Sequence, residues 1–338
     1  MEHRFLGEIC CPKQWKTIST SELTETGYPV YGANGIIGKY KEYNHENATI
    51  LVTCRGATCG SVVISKPYSY VNGNAMALDN LDDDICIDYL YFYLIGRGFA
   101  DVISGSAQPQ IIRSTIEKIR IPLCNFEKQK QIASVFSTIN GMKLKFELLI
   151  EKYDQLVKAR FVEMFGDIDD KNCWPRNKWE DVVTIKNGKD YKKLLVKEGG
   201  YPVYGTGGEM CRVSEFLCPE NTVIVGRKGS INNPLLVKEK FWNVDTAFGV
   251  IPDKKVLHYL YFYEFCRKFD FMKLNKATTL PSTTKADLLK IEINIPPIDL
   301  QNQFADFVKQ VDKSKLAVQQ SLEKTQQLFD SLMQEYFG

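Results

Sequence analysis

Histidine is scarce: the 338 residues include three, His3, His45 and His258, and no two are spaced to work together. That leaves little for imidazole acid–base chemistry. Ten cysteines occur without a repeated C-x-x-C or a His-rich partner segment, so the sequence reads as free, buried thiols in a reducing compartment, not as a zinc site or a disulfide framework. No apolar run approaches the roughly 18 residues that would span a bilayer, so no membrane partner is expected. The start, MEHRFLGEICC, has no apolar core behind a basic segment, so nothing in it directs export and a cytoplasmic location is expected. Charge of one sign is lacking too: 43 Lys and Arg against 41 Asp and Glu leave a net +2, so any nucleic-acid surface must come from local clusters.

Catalytic signatures are equally thin. A P-loop is absent, Gly188-Lys189-Asp190 failing at the third position. The N/D/S-P-P-aromatic stretch of an adenine methyltransferase has its nearest approach in Asn233-Pro234-Leu235-Leu236, which reads as a turn. Asp253-Lys254-Lys255 has no second acid to make a nuclease metal site and reads as a charged surface turn. Neither catalytic residue, metal nor cofactor is expected.

What the chain does have is itself, twice. GYPVYG at Gly27–Gly32 returns at Gly200–Gly205 and reads as a repeated turn. LGEICC (Leu6–Cys11), read as a strand, lies over WEDVVT (Trp179–Thr184), and VTCRGA (Val52–Ala57) over VGRKGS (Val225–Ser230). YLYFY at Tyr89–Tyr93 matches Tyr259–Tyr263 letter for letter, QPQIIRSTIEKIRI (Gln108–Ile121) lies over LPSTTKADLLKIEI (Leu280–Ile293), and MFG at Met164–Gly166 answers YFG at Tyr336–Gly338. The repeat is too long for a solenoid unit, so it means two domains of one kind. Their β-branched segments IIGKY, ATILVTC, SVVIS, NTVIVG and NPLLVK predict strands. YLYFYLIG and YLYFYEFCRKF predict short helices, with their aromatic residues packed against a sheet and not offered to bases.

From Glu127 to Phe165 there is no proline, and apolar residues recur at Phe146, Ile150, Tyr153, Val157, Phe161 and Met164. Steps of three and four are the stripe of an amphipathic helix, with Asn140-Gly141 as a candidate kink or break. Val318, Leu322, Thr325, Phe329, Met333 and Tyr336 make a second stripe in register. Two such helices in one chain predict an antiparallel coiled coil, and a pseudo-two-fold arrangement with a globular domain at either end of a rigid spacer. The predicted fold is α+β: domains at 1–124 and 167–297, helices at 125–166 and 298–338.

This order resembles the specificity subunit of type I restriction-modification systems. Each copy carries a Gly-x-Pro-x-x-Gly segment, an RG or RKG loop, a QPQI-type loop before a short helix, and a long helix entered by EKQKQIASVF (Glu127–Phe136) or LQNQFADFV (Leu300–Val308). The second copy departs from the pattern with LPSTT (Leu280–Thr284). The resemblance implies a non-catalytic reader of double-stranded DNA that holds two adenine methyltransferase subunits and, in the full complex, restriction/motor subunits. A reader needs donors for base edges and cations for phosphates. The candidate DNA-binding residues are Asn34, Arg55, Asn72, Asn74, Gln108, Gln110 and Arg113 in the first copy, and Arg227, Lys228, Thr283, Thr284 and Lys285 in the second. GYPVYG is kept while ANGIIGK against TGGEMCR is not, which predicts two unlike half-sites. A tandem scaffold or adhesin that binds protein or glycan is the alternative.

Overall fold

The computed structural model describes residues 2–33, 35–105, 108–170, 173–275 and 279–338. Contacts divide the chain into one unit of Met1–Glu147 with Gln320–Gly338 and a second of Leu148–Gln319.

The first unit begins with β1 (Glu2–Phe5), a single helical turn α1 (Leu6–Ile9) and β2 (Cys11–Gln14). LGEI is therefore helical, not a strand. Glu8 explains this, because its carboxylate accepts from the Phe5 amide at 2.7 Å and caps the turn. There follow β3 (Tyr28–Gly32), β4 (Gly35–Tyr40), β5 (Ile50–Thr53), β6 (Val62–Ile64), β7 (Tyr70–Val71) and β8 (Ala75–Asp79), then α2 (Ile87–Arg97), α3 (Arg113–Ile116), β9 (Arg120–Leu123) and the long α4 (Phe126–Phe165). The strands form a four-stranded sheet β2-β8-β5-β6, a three-stranded sheet β4-β3-β7 and the pair β1-β9. Successive strand residues face opposite sides, so Ile50 and Val52 join the helical core while Leu51 joins a small core with Tyr31 and Val71.

GYPVYG is not a turn. Its last five residues are β3, which pairs antiparallel with β4 and parallel with β7. The glycine is required at its head: Gly27 has φ +116°, and a Cβ there would run into the Tyr40 carbonyl oxygen.

The second unit repeats the plan with β10 (Arg176–Lys178), α5 (Trp179–Val182), β11 (Val183–Asn187), β12 (Tyr201–Gly205), β13 (Gly208–Val213), β14 (Thr222–Gly226), β15 (Leu235–Val237), β16 (Trp242–Asn243) and β17 (Ala247–Pro252). α6 (Tyr259–Lys268), α7 (Lys285–Leu289), β18 (Glu292–Asn294) and α8 (Ile298–Phe337) complete it. Its sheets, β11-β17-β14-β15, β13-β12-β16 and β10-β18, have the same order and pairing as the first unit's. Even the bulge recurs, after Val30 in β3 and after Val203 in β12.

The literal YLYFY match is out of register. The Tyr89 hydroxyl donates to the Pro122 carbonyl at 2.7 Å and that of Tyr261 to the Asn294 carbonyl at 2.8 Å, so Tyr89 answers Tyr261, not Tyr259. The shift of two puts the buried Glu264 where the first unit has Phe92. Half a turn's slip keeps tyrosines facing tyrosines, which is why the letters mislead.

Asn140-Gly141 does not break α4, which runs unbroken from Phe126 to Phe165. An interior glycine costs about 1 kcal/mol against alanine, and buried Phe136 and Ile139 beside it hold the helix in place. Within the first unit, Phe136 of α4 meets Phe329 of α8 with ring centroids 5.2 Å apart and stacks on Phe337 at 5.7 Å. Within the second, Phe161 meets Phe304 at 5.6 Å, while Lys315 and Asp154 pair at 2.8 Å. A later residue of α4 thus meets an earlier one of α8, so the helices run antiparallel. Two mixed α/β domains are joined by two long helices that contact each other.

A buried glutamine fastens each long helix to its domain. Gln129 Oε1 accepts from the Cys86 amide at 2.9 Å, and its Nε2 donates to the Asp84 and Cys124 carbonyls. Gln301 does the same with the His258 amide at 2.8 Å and the Val256 and Pro296 carbonyls. Neither stands out in the sequence, because glutamine in a charged helix entry looks like solvent-facing surface.

Candidate nucleic-acid interface

Three loops converge in the first unit. β5 ends at Thr53 and the chain turns through Cys54–Gly60. The Cys54 amide donates to the Asn74 carbonyl at 3.2 Å, and its carbonyl accepts from the Ile111 amide at 3.0 Å. Gly56, at φ +92°, lets its amide reach the Pro109 carbonyl at 3.2 Å. Arg55 and Gln110 face each other in an isolated antiparallel bridge. The hairpin tip joins them through Thr53 Oγ1 and Thr58 Oγ1, both donating to the Ala33 carbonyl. Main-chain bonds thus bring Arg55, Asn74 and Gln110 together, with Gln108 in the same loop. All four side chains are exposed and make no hydrogen bond or ion pair among the described residues. Asn34 lies outside the described residues.

The second unit builds the same frame. The Arg227 and Lys228 amides donate to the Thr246 carbonyl at 2.8 and 3.3 Å, Gly229 (φ +80°) to Pro281 at 2.9 Å, and the Thr283 amide to Arg227 at 3.0 Å. Lys228 bridges Ser282 as Arg55 bridges Gln110, so Lys228 takes the place of Arg55 and Arg227 that of the buried Cys54. The Asn233 side-chain Nδ2 donates to the Thr206 carbonyl at the hairpin tip at 3.3 Å. Arg227 lies 6.0 Å from the Phe248 ring centroid and donates to the Asp245 carbonyl at 3.4 Å. Beside this loop is a groove of about 530 Å³, lined among others by Asp190, Lys192, Thr206, Met210, Asp245 and Thr246. Lys192 lines the groove, and its sequence neighbours Lys189 and Lys193 are exposed too; no motif in the sequence singles these cations out.

Five other candidates are engaged by the protein's own groups. Asn72 is 3% exposed: its Oδ1 accepts from the Ile18 and Gly73 amides and its Nδ2 donates to the Ile18 carbonyl, so it pins two loops together and has nothing left for a base. Thr283 is equally buried, donating to the Gly226 carbonyl at 2.8 Å. Thr284 caps α7 by accepting from the Asp287 amide, and Lys285 Nζ donates to the Ile185 carbonyl at 3.0 Å. Arg113 is exposed but paired with Glu117 at 2.6 Å, one helical turn on. Burial and side-chain bonding to distant backbone are not visible in a loop's letters, which hides the engagement of Asn72, Thr283 and Lys285 from the sequence.

No cluster of side chains among the described residues resembles a reaction centre. Among the described residues no three His, Cys, Asp or Glu side chains are placed to hold a metal ion. His45 is buried between Asn44 and Asp79, at 2.7 and 2.9 Å, and His258 accepts from the Leu260 amide at the start of α6. Four cysteines are buried and two exposed, and none is disulfide-bonded. Burial pushes the thiols of Cys10 and Cys218 up to about 12, far from nucleophilic use. No helix among the described residues is long and apolar enough to cross a membrane.

Comparison with known proteins agrees with this geometry. The family model described as the type I restriction modification DNA specificity domain matches residues 1–151 and 174–327, almost all of both repeats. The EcoprrI specificity subunit of Escherichia coli is 28% identical over 146 residues, spanning 42% of this chain and 36% of its own length. The MjaVIII specificity subunit of Methanocaldococcus jannaschii is 24% identical, with 87% of this chain and 81% of that protein covered. Among solved structures, the type I restriction-modification S subunit from M. genitalium superposes with a TM-score of 0.69 at 18% identity, over 100% of this chain and 96% of that one. The chain belongs to the type I restriction-modification specificity family, as a non-catalytic DNA-recognising subunit with two target recognition domains and two long helices.

Proposed function

We propose that each unit reads one half of a bipartite DNA site, with recognition domains at 1–124 and 167–297 and spacer helices at 125–166 and 298–338. Arg55, Asn74, Gln108 and Gln110 face the first half-site; Arg227 and Lys228 face the second. The chain acts in the cytoplasm. It presents the site to two adenine methyltransferase subunits and, in the complete assembly, to restriction/motor subunits. The carrying observation is that the same main-chain frame holds the three loops of each unit while the exposed side chains differ. One frame with two sets of donors suits two unlike half-sites.

A map of methylated adenines in cells carrying the chain with its methyltransferase partner tests this. The expected result is a gapped site whose halves differ; a palindrome refutes the asymmetry. Arg55→Ala and Lys228→Ala should each weaken one half only, by about 1–3 kcal/mol per lost base contact. Uniform weakening on all DNA marks these cations as phosphate contacts instead. Binding to duplex DNA should also fall steeply with added salt, as counterion release requires.

A further inference from the structure

The two units differ in the groove beside the Arg227–Gly229 loop. In the second unit the Val244 amide donates to the Tyr204 carbonyl and the Ala247 amide to Val244. In the first, the Asn72 amide donates to Tyr31 and the Ala75 amide to Asn72. Asp245 therefore stands where the first unit has Gly73. The strand pairings set Met210 against Ile37, and the chain leaving β11 and β2 sets Asp190 against Thr17. The first unit has no room for a side chain at this place: a Cβ on Gly73 would sit 2.5 Å from Thr17 Oγ1 and 2.7 Å from the Trp15 carbonyl oxygen. The second unit opens the same place into the groove and puts a carboxylate there.

Three observations give that carboxylate a purpose. Asp245 is exposed, and its side chain makes no hydrogen bond or ion pair among the described residues. It is not balanced by a neighbouring salt bridge, yet its own carbonyl accepts from the Arg227 guanidinium and the next carbonyl, that of Thr246, holds the Arg227 and Lys228 amides. The groove also carries Met210, 60% exposed, an apolar side chain open to contact. A free carboxylate on a face meant for a polyanion is unfavourable against phosphate. Against a base edge it is selective. It accepts from the exocyclic amino group of cytosine or adenine and is repelled by the carbonyl and N7 acceptors that guanine and thymine present.

We infer that Asp245 is a specificity-determining residue of the second recognition domain, accepting a hydrogen bond from the exocyclic amino group of a cytosine or adenine in its half-site. Arg227 and Lys228 hold the adjoining backbone in place while Asp245 discriminates. The inference rests on the reading of each unit as the reader of one half-site.

The test is selection from a randomised duplex pool by the full-length chain assembled with its methyltransferase subunits, comparing the unaltered protein with Asp245→Asn, Asp245→Ala and Asp190→Asn. At one position of one half-site the unaltered protein should prefer C or A. Asp245→Ala should lower that preference at least tenfold, and Asp245→Asn should favour adenine over cytosine, because an amide offers both an acceptor and a donor. The other half-site should not change, and thermal midpoints should match across the variants. An unchanged preference in Asp245→Ala overturns the inference while leaving the half-site reading intact, as does a uniform gain in affinity for all DNA, which marks plain charge repulsion. Failure of the unaltered complex to select any sequence overturns the underlying reading as well.

Discussion

Replacing Gln301 with leucine removes the joint between α8 and its recognition domain while keeping the volume nearly constant. Gln301 is fully buried and makes three hydrogen bonds, all to main-chain groups: one from the His258 amide and two to the Val256 and Pro296 carbonyls. Leucine leaves all three unpaired away from water. At about 1 kcal/mol or more for each orphaned group the loss comes to about 3 kcal/mol. That is a large part of the roughly 5–15 kcal/mol that holds a domain folded, and raises its open population about a hundredfold. Hydrogen exchange measured by mass spectrometry reads this locally: the amides opening α6, from His258 to Phe262, and the first turns of α8 should lose protection. The control is Gln310→Leu on the exposed side of the same helix. If Gln301→Leu exchanges no faster than that control, the three bonds do not fasten the helix and the joint lies elsewhere. Gln129→Leu should repeat the result in the first unit, at the start of α2.

Three further outcomes are expected. Burial, with Lys309 nearby, pushes the His258 imidazole below its ordinary value of 6.5, and the neutral ring is the form that accepts from the Leu260 amide. The stability it contributes is therefore complete above pH 6.5 and lost as acid carries the pH below it; His258→Asn, which keeps an acceptor without a titrating ring, should flatten the pH dependence of urea unfolding. Gly200→Ala should destabilise the second unit by about 1–3 kcal/mol, because φ is +71° and a Cβ would meet the Val213 carbonyl oxygen; an unchanged melting curve would mean the hairpin can shift aside. Adding seven residues in register to both α4 and α8 lengthens each by about 10 Å, so a ruler should widen the gap between half-sites by about three base pairs, and a gap of unchanged length in the methylation map rules that ruler out.

The architecture was legible because its signals are periodic or repeated. The apolar stripe from Phe146 to Met164 marked α4, and the paired glycines Gly56 and Gly229 marked loops that do take up left-handed backbone. Identity of letters proved less reliable than periodicity. YLYFY matches perfectly and is two residues out of register, because hydrogen bonds to β9 and β18, not spelling, decide which tyrosine is equivalent. In the loops, residue type carried half the information. Arg55 and Lys228 are exposed as expected, but the amide of Asn72 and the hydroxyl of Thr283 are taken by Ile18 and Gly226, partners 54 and 57 residues away. No local pattern announces a partner at that distance, and Asp245 drew no notice for the converse reason: its meaning appears only when Gly73 is set beside it.

The converging loops of each unit are tied to one another mostly through main-chain amides and carbonyls, groups that every residue except proline supplies in full. Mutation can therefore rewrite what such a surface recognises without first having to repair the platform beneath it. Asn72, Thr283 and the tip-binding Thr53, Thr58 and Asn233 anchor with their side chains, and a lineage exploring new target sequences should leave those positions alone while Arg55, Gln110, Lys228 and Asp245 drift.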